Sequence, residues 1–123
     1  MTKRETIRHN HRKVIMWNEP SKERLAKVPK MFETEDIPLA DKLIYLHFHI
    51  FNCDWYVAEY DGDNLFWGYY SILYGGNKEI SEWGYFEYSH LKKAKVRGWI
   101  EVNCETERTW RIRKASEVEK INF

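Results

Sequence analysis

From Leu43 onward the chain alternates between apolar and polar positions with the two-residue period of a strand. In Leu43–Ile50 (LIYLHFHI), Ile44, Leu46, Phe48 and Ile50 fall on one face, and Tyr45, His47 and His49 on the other. Asn52 to Asp54 reads as a short turn. Trp55–Tyr60 (WYVAEY) predicts the next strand, with Trp55, Val57 and Glu59 sharing a face. Asp61-Gly62-Asp63-Asn64 is a turn signal, since these residues tolerate tight-turn dihedrals. Leu65–Leu73 (LFWGYYSIL) then pairs back as a hairpin, Gly75-Gly76-Asn77 turns again, and Glu82–Tyr88 (EWGYFEY) forms a further strand. Gly68 and Gly84 interrupt aromatic strands. A strand glycine usually makes room for a neighbour, so a ring from the adjacent strand is expected over each.

Helical signals flank this region. Residues 1–11 lack periodicity and read as a terminal arm, and Val14–Trp17 as a short strand that ties it down. Ser21 is placed to cap a helix over Lys22–Val28 that Pro29 stops. Pro38 marks a second loop. Ser89 is a candidate cap for a basic helix over His90–Val96, closed by Gly98. Trp99–Val102 and Thr109–Ile112 are expected as strands, and Ala115–Ile121 as a final helix capped near Lys114 or Ser116. The sum is an α+β fold: an antiparallel meander with short flanking helices over residues 29–123, preceded by a basic extension over 1–28.

Charge sharpens that division. The formal net charge is +1, but residues 1–30 hold nine Lys or Arg against three acids, +6. The remaining 93 residues hold eleven against sixteen, −5. A basic arm on an acidic body suits phosphate or an acidic protein surface, or it folds back on its own body. The 123 residues suffice for one domain with a real core. No run reaches the ~18 apolar residues of a membrane span, and the first thirty residues carry no signal-peptide core, so a cytoplasmic protein is expected. Six Trp, eight Tyr and six Phe exceed what so small a core must hide, which leaves rings for an interface.

Two stretches, Asp54–Tyr69 (DWYVAEYDGDNLFWGY) and Glu82–Leu91 (EWGYFEYSHL), resemble the bacterial domain of unknown function 2958 family. The similarity extends upstream through a Thr-Glu element (Thr34-Glu35) and an Asp-Lys pair (Asp41-Lys42), and downstream to Trp110–Ile121. It departs at Thr106-Glu107, where members often carry Arg-Asp. The resemblance implies a small protein of a mobile element or phage, with an accessory or anti-defence role.

Candidate chemistry is sparse. Glu59 lies in an aromatic strand and needs a partner if buried, with Arg108 or Arg111 as candidates. Asp61 and Asp63 begin like a calcium loop, but the twelfth position from Asp61 is Ile72, so they read as turn formers. His47 and His49 share a strand face and could hold a metal only with further ligands. Cys53 and Cys104 have no metal-finger spacing and are expected as reduced thiols. No nucleophile elbow or phosphate loop is present.

The residues therefore point to a non-enzymatic binding protein without a cofactor or metal. It is expected as a monomer or an edge-strand dimer that acts by protein–protein contact, with a defence or nucleic-acid-handling complex as the expected target. Arg8, Arg12 and Lys13 are the expected electrostatic contacts, and exposed Trp17 and Tyr60 the anchors. Direct nucleic-acid binding through the arm is the first alternative. A metal-dependent hydrolase using Glu59, Glu82 and the histidines is the second.

Overall fold

The computed structural model describes residues 16–74 and 78–123. Its centre is a five-stranded antiparallel sheet. Strands β2 (Leu46–Ile50), β3 (Cys53–Tyr60), β4 (Leu65–Tyr74) and β5 (Lys78–Glu87) form a continuous meander. A two-residue strand, β8 (Asn103–Cys104), closes the other side on β2, giving the order β5-β4-β3-β2-β8. This is the α+β meander that the alternation predicts. Among the described residues β5 pairs only with β4.

Both faces of the sheet are covered. Leu46, Phe48, Ile50, Trp55, Val57 and Phe66 face one core, which Val28, Tyr88, Leu91, Ile100 and Val102 complete. Tyr56, Ala58 and Tyr69 face a second, closed by Trp110, Ala115, Val118 and Ile121 of the C-terminal segment. Ile44 departs from the expected alternation, because it belongs to the second core and not with Leu46. The cause is a break at Tyr45: β1 (Leu43–Ile44) leaves the main sheet to pair with β9 (Arg113–Lys114).

A bulge in β3 has a similar consequence. The register to β4 shifts between Val57 and Glu59, with Ala58 as the extra residue. Glu59 therefore stands opposite Trp67 on the second face, while Trp55 and Val57 stay on the first, contrary to the expected shared face. The bulge also explains Gly68. A Cβ there would lie 1.8 Å from the Tyr56 carbonyl oxygen, so backbone and not a ring demands this glycine. At Gly84 the expected ring is present, with Tyr70 3.4 Å from the Cβ position.

Helix α1 (Lys22–Lys27) starts at Ser21, whose side chain accepts the Arg24 N–H. Helix α2 (Tyr88–Lys93) begins one residue before the expected cap. Ser89 lies inside its first turn, where the Asn64 side-chain oxygen accepts the Ser89 N–H at 2.8 Å. The helix ends at Lys93, and Gly98 (φ +76°) instead turns between β6 (Lys95–Val96) and β7 (Ile100–Glu101). Thr109–Ile112 is not a strand, because Thr109 and Trp110 bond back to the Thr106 carbonyl in a turn. The expected final helix is a single 3₁₀ turn, Ala115–Glu117, after which Val118 and Ile121 drop into the second core.

The chain from Met16 to Val28 is folded onto the first core. Trp17 and Val28 pack there, and the Asn18 amide donates to the Cys104 carbonyl at 2.7 Å. Met16 and Trp17 are not in a strand. The expected arm over residues 1–11, the Val14–Ile15 part of the tie-down strand and the Gly75-Gly76-Asn77 turn lie outside the described residues. Among the described residues no helix is long and apolar enough to cross a membrane.

Candidate functional site

A concavity of about 660 Å³ runs between α1 and the tip of the β3–β4 hairpin. Leu25, Ala26, Val28, Tyr60 and Tyr88 form its walls, with Lys22, Lys30 and Asp61 on the rim. Local chemistry fixes each side. The Tyr60 N–H donates to the Pro29 carbonyl at 2.9 Å, which ties the end of β3 to the chain leaving α1. The Asp61 carboxylate accepts the N–H groups of Asp63, Asn64 and Leu65, and Gly62 (φ +88°) supplies the left-handed residue of the turn. Those backbone bonds, the one from Leu65 first, hold the Asp61 carboxyl below its usual range.

Tyr60, an expected anchor, lines this groove half-buried. Its ring lies 4.9 Å from Phe66 and edge-on to Tyr88, and its hydroxyl donates to the Asp63 carbonyl at 3.0 Å. At the far wall the Tyr88 hydroxyl donates to Glu19. Glu19 also accepts the Trp17 indole N–H at 2.9 Å and pairs with Lys92 at 3.3 Å. Burial works to raise the Glu19 pKa, but these hydrogen bonds outweigh it and leave the carboxyl below its ordinary value.

Trp17 is half-buried and not exposed as expected. Its ring stacks on Phe48 at 5.7 Å and 10° and packs against the edge of the first core. Arg8, Arg12 and Lys13 lie outside the described residues.

Glu59 is buried, and neither Arg108 nor Arg111 is its partner. Its carboxylate accepts the backbone N–H groups of Phe32 (2.9 Å) and Thr34 (3.1 Å) and the Thr34 hydroxyl. Phe32 reaches this geometry with φ +69°. Lys42, also buried, donates to the carbonyl and hydroxyl of Thr34 and lies 5.3 Å from the Trp67 ring. The expected need for a partner is thus met by a loop and not by an ion pair. Thr34 and Lys42 were missed as members of this cluster. The signal was the Thr34-Glu35 and Asp41-Lys42 pairs within the resemblance.

His47 lies between two carboxylates. One ring nitrogen meets Asp54 at 2.7 Å and the other meets Glu105, while the ring stacks on Tyr56 at 4.5 Å. Asp54 also takes Lys120. Burial opposes ionisation of Asp54, but the hydrogen bonds from His47 and Lys120 prevail and lower its pKa. His49 sits 5.2 Å from His47, and burial first, then the His47 charge, push its pKa down. No group of three or more His, Cys, Asp or Glu side chains suited to a metal ion occurs among the described residues. Cys53 and Cys104 are free thiols, and burial pushes the Cys104 thiol up to about 11.

Comparison with protein-family models, with curated proteins and with solved structures finds no match.

Proposed function

We propose that the chain is an accessory protein that acts by contact with another protein, through the groove between α1 and the hairpin tip. The groove itself carries this reading: its walls are largely apolar, and two tyrosines line it with charges of both signs at the rim. That combination of an aromatic centre and a charged rim characterises protein-binding surfaces. The buried ionisable groups support a contact role rather than a chemical one. The carboxylate of Glu59 is engaged by Phe32 and Thr34, and both ring nitrogens of His47 by carboxylates. These bonds hold the fold in place. The setting in a mobile element or phage, and an inhibitory action on a host complex, rest on the sequence resemblance alone.

The test uses Ala26, an exposed groove residue on α1. The full chain is used as bait in a nuclease-treated bacterial lysate, beside an Ala26→Arg variant whose fold is checked by thermal melting. A stoichiometric protein held by the wild type and lost by the variant is expected. A partner retained by Ala26→Arg, or none with either bait, would overturn the reading.

A further inference from the structure

A second, smaller pocket opens where α1 meets the C-terminal segment. It has a volume of about 240 Å³ and is lined by Arg24, Lys27, Arg111, Glu107, Tyr45 and Trp110, with Ile112 at its edge. Arg24 and Lys27 are three residues apart on α1, so they share one helix face. Arg24 is oriented from within: its Nη1 donates to the Glu105 carbonyl at 2.8 Å. Trp110 is fixed by its indole N–H, which donates to the Ile44 carbonyl at 3.1 Å.

Three cations therefore converge on one cavity against a single carboxylate, Glu107, on a body whose residues from 31 onward carry −5. Among the described residues none of the three forms an ion pair. Like charges repel when gathered in this way, and an anion relieves the repulsion. The volume lies below the roughly 300–1,000 Å³ of pockets that enclose a drug-sized ligand, so it suits one small anionic group and not a whole dinucleotide. Two guanidinium groups favour a planar or tetrahedral oxyanion with several acceptors, and three positive charges favour a dianion over a carboxylate. Tyr45 and Trp110 supply an aromatic wall for whatever the anion is attached to.

We infer that the Arg24–Lys27–Arg111 pocket binds the phosphate group of a small phosphate monoester. The site is distinct from the groove, because it uses the Arg24–Lys27 face of α1 whereas the groove uses Leu25 and Ala26.

Calorimetric titration of the full chain tests this, with inorganic phosphate, a nucleoside monophosphate and the unphosphorylated nucleoside as probes. Saturable binding of the monophosphate and none of the nucleoside is expected. Arg111→Glu and Lys27→Glu, both at exposed positions, each weaken it by about tenfold or more, the size of one charge-assisted hydrogen bond. Lys93→Glu, the same charge change on the exposed surface of α2, leaves it unchanged. Melting temperatures confirm that the variants fold. No saturable monophosphate binding at millimolar concentration would overturn the inference. So would an equal loss in Lys93→Glu, which would mean diffuse attraction. Tighter binding of an oligonucleotide without terminal phosphates, with a salt slope of several charges, would assign the pocket to nucleic-acid backbone instead.

Discussion

The Thr34 hydroxyl donates its proton to the Glu59 carboxylate inside the protein. The same oxygen accepts from the Lys42 ammonium at 3.2 Å, so one hydroxyl bridges a buried acid and a buried base. The bridge exists because the bulge at Ala58 turns Glu59 onto the face where the 32–34 loop crosses. Thr34→Val keeps the shape and removes the bridge. It should cost about 1.5–3 kcal/mol, since a hydrogen bond to a buried charge is lost, whereas Thr34→Ser should cost less than about 1 kcal/mol. Urea midpoints at constant m value measure both. A Thr34→Val midpoint equal to the wild type would contradict the bridge.

Gly68 and Gly84 face each other in the β4–β5 register yet should respond differently to alanine. At Gly68 the methyl group meets the Tyr56 carbonyl oxygen at 1.8 Å, and backbone cannot swing aside. At Gly84 it meets the Tyr70 ring at 3.4 Å, an ordinary contact. Gly68→Ala is expected to destabilise by at least about 3 kcal/mol and Gly84→Ala by less than about 1 kcal/mol. Thermal melts of the two variants decide it.

Acid sensitivity should begin near neutrality. In the folded chain burial and the neighbouring His47 hold the His49 pKa below its ordinary value of about 6.5, although Glu105 and Asp54 pull it upward. The unfolded chain therefore takes up this proton first. The stability His49 contributes is complete above about pH 6.5 and is lost as pH falls toward the lowered folded value. Asp54 follows the same sign at lower pH, beginning below its ordinary carboxylate pKa. The melting temperature should fall from about pH 6.5 downward, and His49→Gln should flatten the upper part of that slope. A wild-type melting temperature that stays level down to about pH 5 would contradict this.

Trp17 tests the docking of residues 16–28. Its ring stacks on Phe48, and its backbone N–H donates to Glu101 at 3.2 Å. Trp17→Ala should cost about 2 kcal/mol, below the roughly 3–5 kcal/mol of a fully buried tryptophan, because Trp17 is half-buried. Trp17→Phe should recover most of the loss. A chain as stable with alanine as with tryptophan would show that this segment does not hold the core.

The meander was legible because local signals agreed with it. Alternation placed β2 to β5, Asp61-Gly62-Asp63-Asn64 placed the hairpin, and Ser21 placed the start of α1. The face of Glu59 was not legible. A bulge shifts every later side chain by one position, and the residue that leaves room for the bulged backbone, Gly68, lies on the neighbouring strand. Ile44 escaped for the same kind of reason, since its partner strand Arg113–Lys114 comes from the far end of the chain. The 109–121 segment misled because short apolar runs fit strand and helix equally, and its fold is set by Trp110, Val118 and Ile121 seating in the second core. Of the groove, the sequence singled out Tyr60, which lines its wall. The groove as a whole was not legible, because its walls come from segments some thirty to sixty positions apart, at Leu25, Tyr60 and Tyr88.

Site-specific photo-crosslinking in nuclease-treated bacterial extract tests the contact role most directly. A photoreactive amino acid replaces Ala26 in the groove and, as a control, Glu119, which is exposed and outside it. The account predicts one discrete protein adduct from position 26 and none from position 119. The same adducts from both positions, or none from position 26, would contradict it.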